Sequence, residues 1–298
     1  MASIFSGVSA FSLTPADANG TVDADAYGVL VDRLAGSGVD SIGLLGSTGI
    51  YAYLDRAERK RALAVAVEAA DGRVPLIVGI GALRTSWALD LARDAERAGA
   101  AGLLLAPMSY TPLTPEEVAD HYRTVSGATG LPLCIYNNPG TTGFRFTPEL
   151  IGRLSTLPQM AAIKMPLPAD GDFAVELAVL RRSTPKHFLT GYSGDWGASQ
   201  ALLAGAAAWY SVVAGLLPGP ALRLTRAAKA GRADETAALD AAFAPLWELF
   251  RAHGSLRIMY VIADRLGLEV GDPPLPLQRP SVEVEAKVEA ALEELAAR

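Results

Sequence analysis

Short apolar segments that favour β-strands recur at regular intervals along the first three quarters of the chain. They lack strict alternation of apolar and polar positions, as is typical of strands buried on both faces. Their carboxyl ends lie on average about 29 residues apart, which is the length of one strand-and-helix unit. We therefore predict eight strands, at residues 7–13, 41–45, 75–80, 101–106, 131–136, 161–164, 187–190 and 209–213.

Amphipathic helical patterns occupy the segments between these strands. Some begin with favourable capping residues, since Thr114 precedes a proline and two glutamates, and Thr147 precedes Pro148. The predicted helices lie at residues 23–37, 55–70, 86–98, 114–128, 147–155, 172–182 and 195–204. Eight strands alternating with helices predict an α/β fold, the (β/α)8 TIM barrel. A doubly wound open sheet is the alternative architecture.

The pattern changes after Pro218, where strand-like segments end and alanine-rich helices follow. Four helices are predicted there, at residues 220–230, 233–252, 256–266 and 282–297. We therefore expect a (β/α)8 catalytic barrel at residues 1–225 and a C-terminal helical extension at residues 226–298.

Composition narrows the class of protein. Half of the residues are apolar and 19% are charged, which excludes a disordered chain or a coiled coil. A net charge of −6 argues against nucleic acid or an anionic membrane as a partner. The N-terminus lacks the pattern of a signal peptide, and the apolar window at 201–217 is shorter than a membrane span of about 20 residues. We expect a cytoplasmic protein that binds neither nucleic acid nor membrane.

Metal and disulfide chemistry have little support in the sequence. Cys134 is the only cysteine, and the three histidines are far apart without ligand spacing. We expect no metal site, no disulfide and no organic cofactor.

Lysine is rare in this chain, which contains 21 arginines but five lysines. Lys164 ends an apolar strand, a place where lysine is poorly tolerated. The other four have surface explanations in neighbouring charges or helix position: Lys60, Lys186, Lys229 and Lys287. An amine in a partly desolvated pocket can attack a ketone to form a Schiff base, whereas the structural alternative is a lysine that extends its charge to solvent.

Two further segments follow predicted strands and carry polar groups. Ser47 and Thr48 lie between glycines after the second strand, where hydroxyls and N–H groups could hold a carboxylate or phosphate; an ordinary loop is the alternative. Tyr136 ends the fifth strand, where its hydroxyl could relay protons or simply cap the core. Because all strand carboxyl ends meet at one mouth of a barrel, these groups and Lys164 together indicate a class I aldolase.

Four motifs make the chain resemble the dihydrodipicolinate synthase / N-acetylneuraminate lyase family of pyruvate-handling (β/α)8 enzymes. They are GSTG at 46–49, YNNPGTTG at 136–143, IKMP at 163–166 and GYSGD at 191–195. The resemblance implies that Lys164 forms the imine and that Tyr136 is the acid/base. It also implies that Ser47 and Thr48 hold the substrate carboxylate, with Ser47 in the proton relay.

The resemblance extends to further candidate residues. It implies a 2-oxo acid of the pyruvate type as substrate, and a homo-oligomer, either a tetramer or a dimer. Within the motifs, Gly49, Thr142 and Gly191 are expected to contact the substrate. Tyr210 matches a position whose backbone carbonyl lies near the imine, and its side chain would narrow the pocket.

The chain also departs from the family pattern. Ile50 stands where a glutamate commonly follows the GSTG motif. In dihydrodipicolinate synthases an arginine in the segment that corresponds to residues 140–143 holds the carboxylate of the second substrate. This chain has no arginine in that segment, so that function is absent unless Arg145 supplies it. The relay tyrosine that a neighbouring subunit supplies falls at Ser109, so either Tyr110 takes its role or the relay differs.

These departures leave the reaction open between related possibilities. The leading hypothesis is a Schiff-base lyase or aldolase acting on pyruvate or a related 2-oxo acid. A dehydratase of deoxy-oxo sugar acids could use the same imine, because imine formation also acidifies the adjacent carbon. A catalytically reduced 2-oxo-acid-binding protein is the alternative from another class, and a phosphate-binding barrel enzyme comes after it.

Overall fold

Eight parallel strands form a closed ring in the computed structural model, which describes residues 3–297. Each strand pairs with the next along the chain, and β8 closes the ring against β1. The strands are β1 (Gly7–Phe11), β2 (Ser41–Leu44), β3 (Leu76–Gly79), β4 (Gly102–Leu105), β5 (Leu133–Tyr136), β6 (Met160–Met165), β7 (Leu189–Tyr192) and β8 (Ala208–Ser211). The predicted TIM barrel is confirmed, and the open-sheet alternative is wrong.

Helices surround the barrel and continue beyond it. They are α1 (Ala24–Ala35), α2 (Arg56–Ala70), α3 (Thr85–Ala98), α4 (Pro115–Ser126), α5 (Pro139–Thr142), α6 (Pro148–Ser155), α7 (Phe173–Ser183), α8 (Ala198–Leu203), α9 (Pro218–Lys229), α10 (Ala233–His253), α11 (Ser255–Arg265) and α12 (Val282–Ala296). Three short 3-10 helices lie at Tyr51–Tyr53, Asp195–Gly197 and Val213–Gly215. The expected capping is present, since the hydroxyl of Thr114 accepts from the N–H of Glu117 and that of Thr147 accepts from the N–H of Leu150.

The strands lack alternation because apolar side chains pack on both of their faces. The larger apolar cluster lies between the strands and the helices. A second cluster fills the interior of the barrel with Phe5, Phe11, Ile77, Leu104, Ala106, Cys134, Tyr136, Ala162, Ala208 and Tyr210. Such a filled interior is a packed core rather than a pore, so we expect a ligand to enter at the mouth of the barrel.

Four helices, α9 to α12, form the C-terminal extension. Helix α10 packs against α9, α11 and α12. Helix α9 passes continuously through the expected division at residue 225, and that division stays a prediction. Residues 1, 2 and 298 of the two expected segments lie outside the described part. Within residues 3–297, no helix is both long enough and apolar enough to cross a membrane.

Several local predictions differ from the structure. The strand predicted at 187–190 lies two residues later, at Leu189–Tyr192. The strands predicted at 7–13 and 209–213 end earlier, at Phe11 and Ser211. The segment predicted as one helix at 195–204 begins instead with a 3-10 helix, and residues 139–142, for which no helix was predicted, form α5. Pro139 in the first turn and the left-handed Gly143 (φ 67°) at the end of α5 explain this short helix.

A buried carboxylate explains where β8 ends. Asp195 accepts hydrogen bonds from the indole N–H of Trp209 (2.8 Å) and from the backbone N–H groups of Val212 (3.1 Å) and Val213 (2.7 Å). These two amides are therefore drawn away from the strand ladder into the 3-10 helix that follows. Burial raises the pKa of Asp195 to about 6, while the three donors oppose the rise.

We expect Asp195→Asn to destabilise the protein by about 1–3 kcal/mol at pH 8, where the native carboxyl is charged. The asparagine oxygen can still accept from Trp209 and Val212, but its NH₂ group then faces the N–H of Val213 and leaves that buried donor unpaired. Urea unfolding measures the effect. Asp234→Asn, at an exposed position of α10, is the matched control and should change the free energy of unfolding little. Equal stability of the two variants would contradict this account of Asp195.

Candidate active site

Lys164 lies one residue before the end of β6, with a side chain that is 3% exposed. Its Nζ atom is 3.8 Å from the centre of the Phe11 ring, 4.3 Å from that of Tyr136 and 5.8 Å from that of Tyr210. All three rings belong to the interior cluster of the barrel. The amine therefore lies inside the barrel, which is the placement that the sequence argument from rare lysines expected.

Strand register places the neighbours of Lys164. Tyr136 of β5 is its partner on one side, and Gly191 of β7 is its partner on the other. A Cβ atom added to Gly191 would lie 2.7 Å from the Tyr210 ring and 2.7 Å from the carbonyl oxygen of Ala208. The absence of a side chain at Gly191 is thus what lets the ring of Tyr210 approach Lys164.

Phe11, which sequence analysis missed, fills the space opposite Lys164. A Cβ atom added to Gly43 would lie 2.6 Å from the Phe11 ring, and one added to Gly46 would lie 2.8 Å from it. The ring also makes an edge-to-face contact with Tyr210, at 6.2 Å between centroids. Two glycines near the end of β2 were the available signal, because small residues on one strand leave room for a large one on the next.

Tyr136 and Ser47 form a hydroxyl pair at the mouth. Ser47 Oγ and Tyr136 OH are 3.2 Å apart, although they are 89 residues apart in sequence. The side-chain amide of Asn138 donates to Tyr136 OH at 3.1 Å. Because Asn138 occupies one acceptor position, the phenol proton is directed to Ser47 or to a bound substrate. Asn138 lies within a recognised motif, but its role was not predicted.

The loop after β2 has a constrained backbone. Leu45 (φ 51°) and Ile50 (φ 48°) both adopt the left-handed region, at a cost of about 1–3 kcal/mol each. The carbonyl oxygen of Leu45 occupies space that a Cβ on Gly79 would need, at 1.9 Å. The loop holds Thr48 buried, and a Cβ on Gly49 would come within 2.9 Å of the Leu45 nitrogen. Strained conformations of this kind persist where surrounding structure enforces them, which is frequent at ligand sites.

The other candidate residues are placed differently. Thr142 ends α5 and its hydroxyl donates to the carbonyl of Asn138 at 3.0 Å. Tyr210 is fully buried, and its hydroxyl lies 3.5 Å from Cys134 Sγ. Tyr110, in the loop between β4 and α4, is 97% exposed, so within one chain it projects into solvent. Its suggested catalytic role stays a prediction.

A cavity of about 290 Å³ opens at the barrel mouth beside Ser47; we call it the mouth cavity. Uncharged residues line it: Ser47, Ile50, Tyr51, Ala52, Tyr53, Leu83, Met108, Ser109, Thr141, Thr142, Leu256 and Leu277. A larger groove of about 570 Å³, beside residues 15–25 and 269–271, is lined by none of the candidate catalytic residues. Proximity to the hydroxyl pair therefore identifies the smaller cavity as the relevant one.

Arg145 is exposed, and its charge acts on Glu176 of helix α7. Burial raises the pKa of the Glu176 carboxyl, and the nearby Arg145 guanidinium opposes that rise. Arg145 is not among the residues that line the mouth cavity. In the described part of the chain, no group of three or more His, Cys, Asp or Glu side chains is placed to hold a metal ion.

The sequence as a whole matches a known protein family. A sequence model of the Dihydrodipicolinate synthetase family matches residues 4–295. The chain belongs to this family. The expected resemblance is thus confirmed, and with it the prediction of a lyase of the aldolase type.

Relatives in the dihydrodipicolinate synthetase family cover nearly the full chain. The 4-hydroxy-tetrahydrodipicolinate synthase of Cellvibrio japonicus is 31% identical over 282 residues, which is 94% of this chain and 96% of the relative. Synthase 1 of Streptomyces coelicolor is 32% identical over 288 residues, covering 96% of this chain and 92% of its own. The crystal structure of dihydrodipicolinate synthase from Agrobacterium tumefaciens is 56% identical, covers 98% of both chains and superposes with a TM-score of 0.97. A monomeric dihydrodipicolinate synthase variant is 26% identical, covers 98% of this chain and 97% of its own, and has a TM-score of 0.90.

The contact between Phe11 and Gly43 in this family member can be tested by exchanging their sizes. We expect Phe11→Ala to destabilise by about 3–5 kcal/mol through a cavity, and Gly43→Val by about 1–3 kcal/mol through overpacking. Because the valine would occupy the space that the ring leaves, the double variant should be at least about 1 kcal/mol more stable than the sum of the single effects. Urea unfolding of the four proteins measures this coupling.

The control pairs Phe11→Ala with Gly219→Ala, where an added Cβ meets no atom within 4 Å. Those two effects should add within about 0.5 kcal/mol. Additive behaviour of the Phe11 and Gly43 variants as well would refute the size exchange.

Proposed function

We propose that Lys164 forms a Schiff base with pyruvate or a related 2-oxo acid, and that the imine serves to make or break a carbon–carbon bond. The observation that carries this proposal is a single amine inside the barrel, within 4.3 Å of the ring centre of Tyr136, whose hydroxyl pairs with Ser47. Curated relatives named 4-hydroxy-tetrahydrodipicolinate synthase support it, since their sequences align with more than nine tenths of this chain.

The loop at 47–49 would hold the carboxylate of the 2-oxo acid. Among the described residues, the backbone N–H groups of Thr48 and Gly49 donate to no other backbone carbonyl. The hydroxyls of Ser47 and Thr48 lie in the same turn. Successive free amides with neighbouring hydroxyls form a concave anion site, and the left-handed residues on either side would keep that site preformed.

Imine formation would begin with attack of Lys164 Nζ on C2 of the 2-oxo acid. The resulting carbinolamine loses one water, and the C2–O bond breaks as the C2=N bond forms. Tyr136 would give a proton to the departing oxygen and recover one through Ser47, while the Asn138 amide keeps the phenol oriented. Phe11 and Tyr210 would exclude water from the amine on the inner side. Gly191 has no side chain and so allows the ring of Tyr210 to lie near Lys164. Thr142 lines the mouth cavity.

The expectation of a homo-oligomer, and with it a role for Tyr110, remains part of the proposal. A side chain as exposed as Tyr110 reaches another hydroxyl only where a second subunit covers it. Ser109, its neighbour, lines the mouth cavity of its own chain. A dimer or tetramer that places Tyr110 beside the hydroxyl pair of a partner would supply the relay. We also retain the cytoplasmic location as a proposal.

The geometry favours carbon–carbon bond chemistry over dehydration. A polyhydroxylated sugar acid needs many free hydrogen-bond partners, whereas most of the exposed surface of the mouth cavity is apolar, with Ile50, Leu83, Met108 and two further leucines in its lining. The intact pairing of Tyr136 with Ser47 also favours an enzyme over a protein that only binds 2-oxo acids.

Borohydride reduction in the presence of saturating pyruvate should attach the reduced pyruvate moiety to Lys164, as peptide mass spectrometry would show. Lys164→Ala should remove the adduct and lower turnover by several orders of magnitude, because the other four lysines are exposed at the surface and lie outside the barrel interior. Lys186→Ala removes an exposed lysine and is the control that should still be labelled. An unlabelled native protein would overturn the imine mechanism.

Tyr136→Phe should slow imine formation by about 100-fold or more, since the ring is retained while the proton donor is lost. Rapid-quench trapping with borohydride measures the rate, and the final extent of labelling should remain substantial. Tyr53→Phe removes a half-exposed hydroxyl at the cavity rim and serves as the comparison. A Tyr136→Phe rate equal to that of the native protein would exclude this tyrosine from the relay.

A further inference from the structure

The mouth cavity has a composition that restricts what can bind beside the hydroxyl pair of Ser47 and Tyr136. No acidic, basic or histidine side chain lines it. Its walls are mainly apolar, and they combine the loop after β2 with Leu256 of α11 and Leu277 of the segment before α12. The C-terminal extension therefore shapes the site directly.

Several hydroxyls in the cavity already donate to the backbone. The hydroxyls of Thr141 (3.3 Å) and Thr142 (3.0 Å) both donate to the carbonyl of Asn138. The hydroxyl of Ser109 donates to the carbonyl of Thr111. These protons are not available to a ligand unless those bonds break. The hydroxyls that remain for a ligand are those of Ser47, Tyr51 and Tyr53, and all three are uncharged.

Besides Lys164, a second buried cationic side chain lies behind the cavity wall, and it is committed to other partners. The Arg59 guanidinium stacks on Tyr51 at 5.4 Å from the ring centre. Its terminal nitrogens donate to the carbonyls of Gly79 (2.8 Å) and Gly81 (3.1 Å). Arg59 is not part of the cavity lining, which Tyr51 forms instead. An anionic ligand would therefore lose its hydration in the cavity without gaining an ionic partner.

We propose that the mouth cavity binds the second substrate, and that it selects an uncharged aldehyde with a compact apolar body. A volume of about 290 Å³ lies at the lower end for small-molecule sites, which suits a small aryl or alkyl group. This inference rests on the proposed function, because the aldehyde is defined by its reaction with the Lys164 adduct.

In the synthetic direction the imine loses a proton from C3 and becomes an enamine. The enamine C3 attacks the aldehyde carbon, the new C–C bond forms, and the aldehyde oxygen takes up a proton through Tyr136. One water then hydrolyses the imine, which frees the Lys164 amine and releases a 4-hydroxy-2-oxo acid. The sum is one 2-oxo acid and one aldehyde for one product, with no redox partner.

Paired aldehydes of similar size test the selection. With pyruvate as donor, kcat/KM for 4-methylbenzaldehyde should exceed that for 4-formylbenzoate by at least about tenfold, because the carboxylate would be desolvated without a partner. The carboxylate is the more electron-withdrawing substituent of the two, so intrinsic reactivity does not create this preference. Equal or higher kcat/KM for 4-formylbenzoate, or no turnover of either aldehyde by protein that forms the pyruvate adduct, would overturn the inference.

A variant pair supplies a matched control for charge. Thr141→Arg places a cation at an exposed position of the cavity rim and should shift the preference toward 4-formylbenzoate by at least about tenfold. Thr141→Gln adds length without charge and should keep the native preference. The same change of aldehyde preference in both variants would mean that the cavity does not discriminate between aldehydes by their charge.

Binding measured without turnover separates this inference from the proposed function. Calorimetric titration of the borohydride-reduced pyruvate adduct should show tighter binding of 4-methylbenzyl alcohol than of 4-(hydroxymethyl)benzoate. A successful adduct with the opposite preference overturns the cavity assignment and leaves the imine mechanism standing. Failure of pyruvate trapping overturns the imine mechanism, and the same titration on untreated protein then decides the preference of the cavity alone.

Discussion

Burial of a primary amine at the centre of a parallel barrel is the constraint on which the rest of the structure depends. An ammonium group in such a place needs compensation for its lost hydration, and the ring faces of Phe11, Tyr136 and Tyr210 provide it. Those rings in turn need space, which comes from glycines on adjacent strands. Gly43 and Gly46 make room for Phe11, and Gly191 makes room for Tyr210. One polar atom thereby determines side-chain sizes on five other strands, β1, β2, β5, β7 and β8.

Different interactions position the functional groups at the mouth of the barrel and in its interior. In the interior, aromatic packing holds the amine of Lys164. At the mouth, the constrained backbone of the loop after β2 positions Ser47, and the hydrogen bond from Asn138 positions the hydroxyl of Tyr136. The two halves meet at Tyr136, whose ring belongs to the interior cluster and whose hydroxyl belongs to the mouth. A tyrosine at a strand end can span both environments, because its body is apolar and its tip is polar.

Much of the fold could be predicted because it follows from local patterns. Apolar segments at regular spacing specify strands, and Thr114 and Thr147 mark helix starts by hydrogen-bonding chemistry that depends on a few adjacent residues. Lys164 was found because a lysine in an apolar strand conflicts with ordinary burial. Phe11 was missed for the opposite reason: a phenylalanine in an apolar strand agrees with ordinary burial, and its contact with Gly43 depends on register between strands. The true end of β8 likewise depended on Asp195, which begins the 3-10 helix after β7 and is 17 residues away from Val212 in sequence.

The pairing of Tyr210 with Cys134 has a consequence for how the barrel could be observed at work. The thiol belongs to the interior cluster of the barrel, and burial raises its pKa to about 12. A thiol reagent therefore reaches it only when the strands separate, since neither the access nor the thiolate exists in the closed ring. Because the chain contains no other cysteine, the rate at which Cys134 is alkylated measures how often the barrel opens. Any ligand that stabilises the closed barrel would lower this alkylation rate without contacting the sulfur atom.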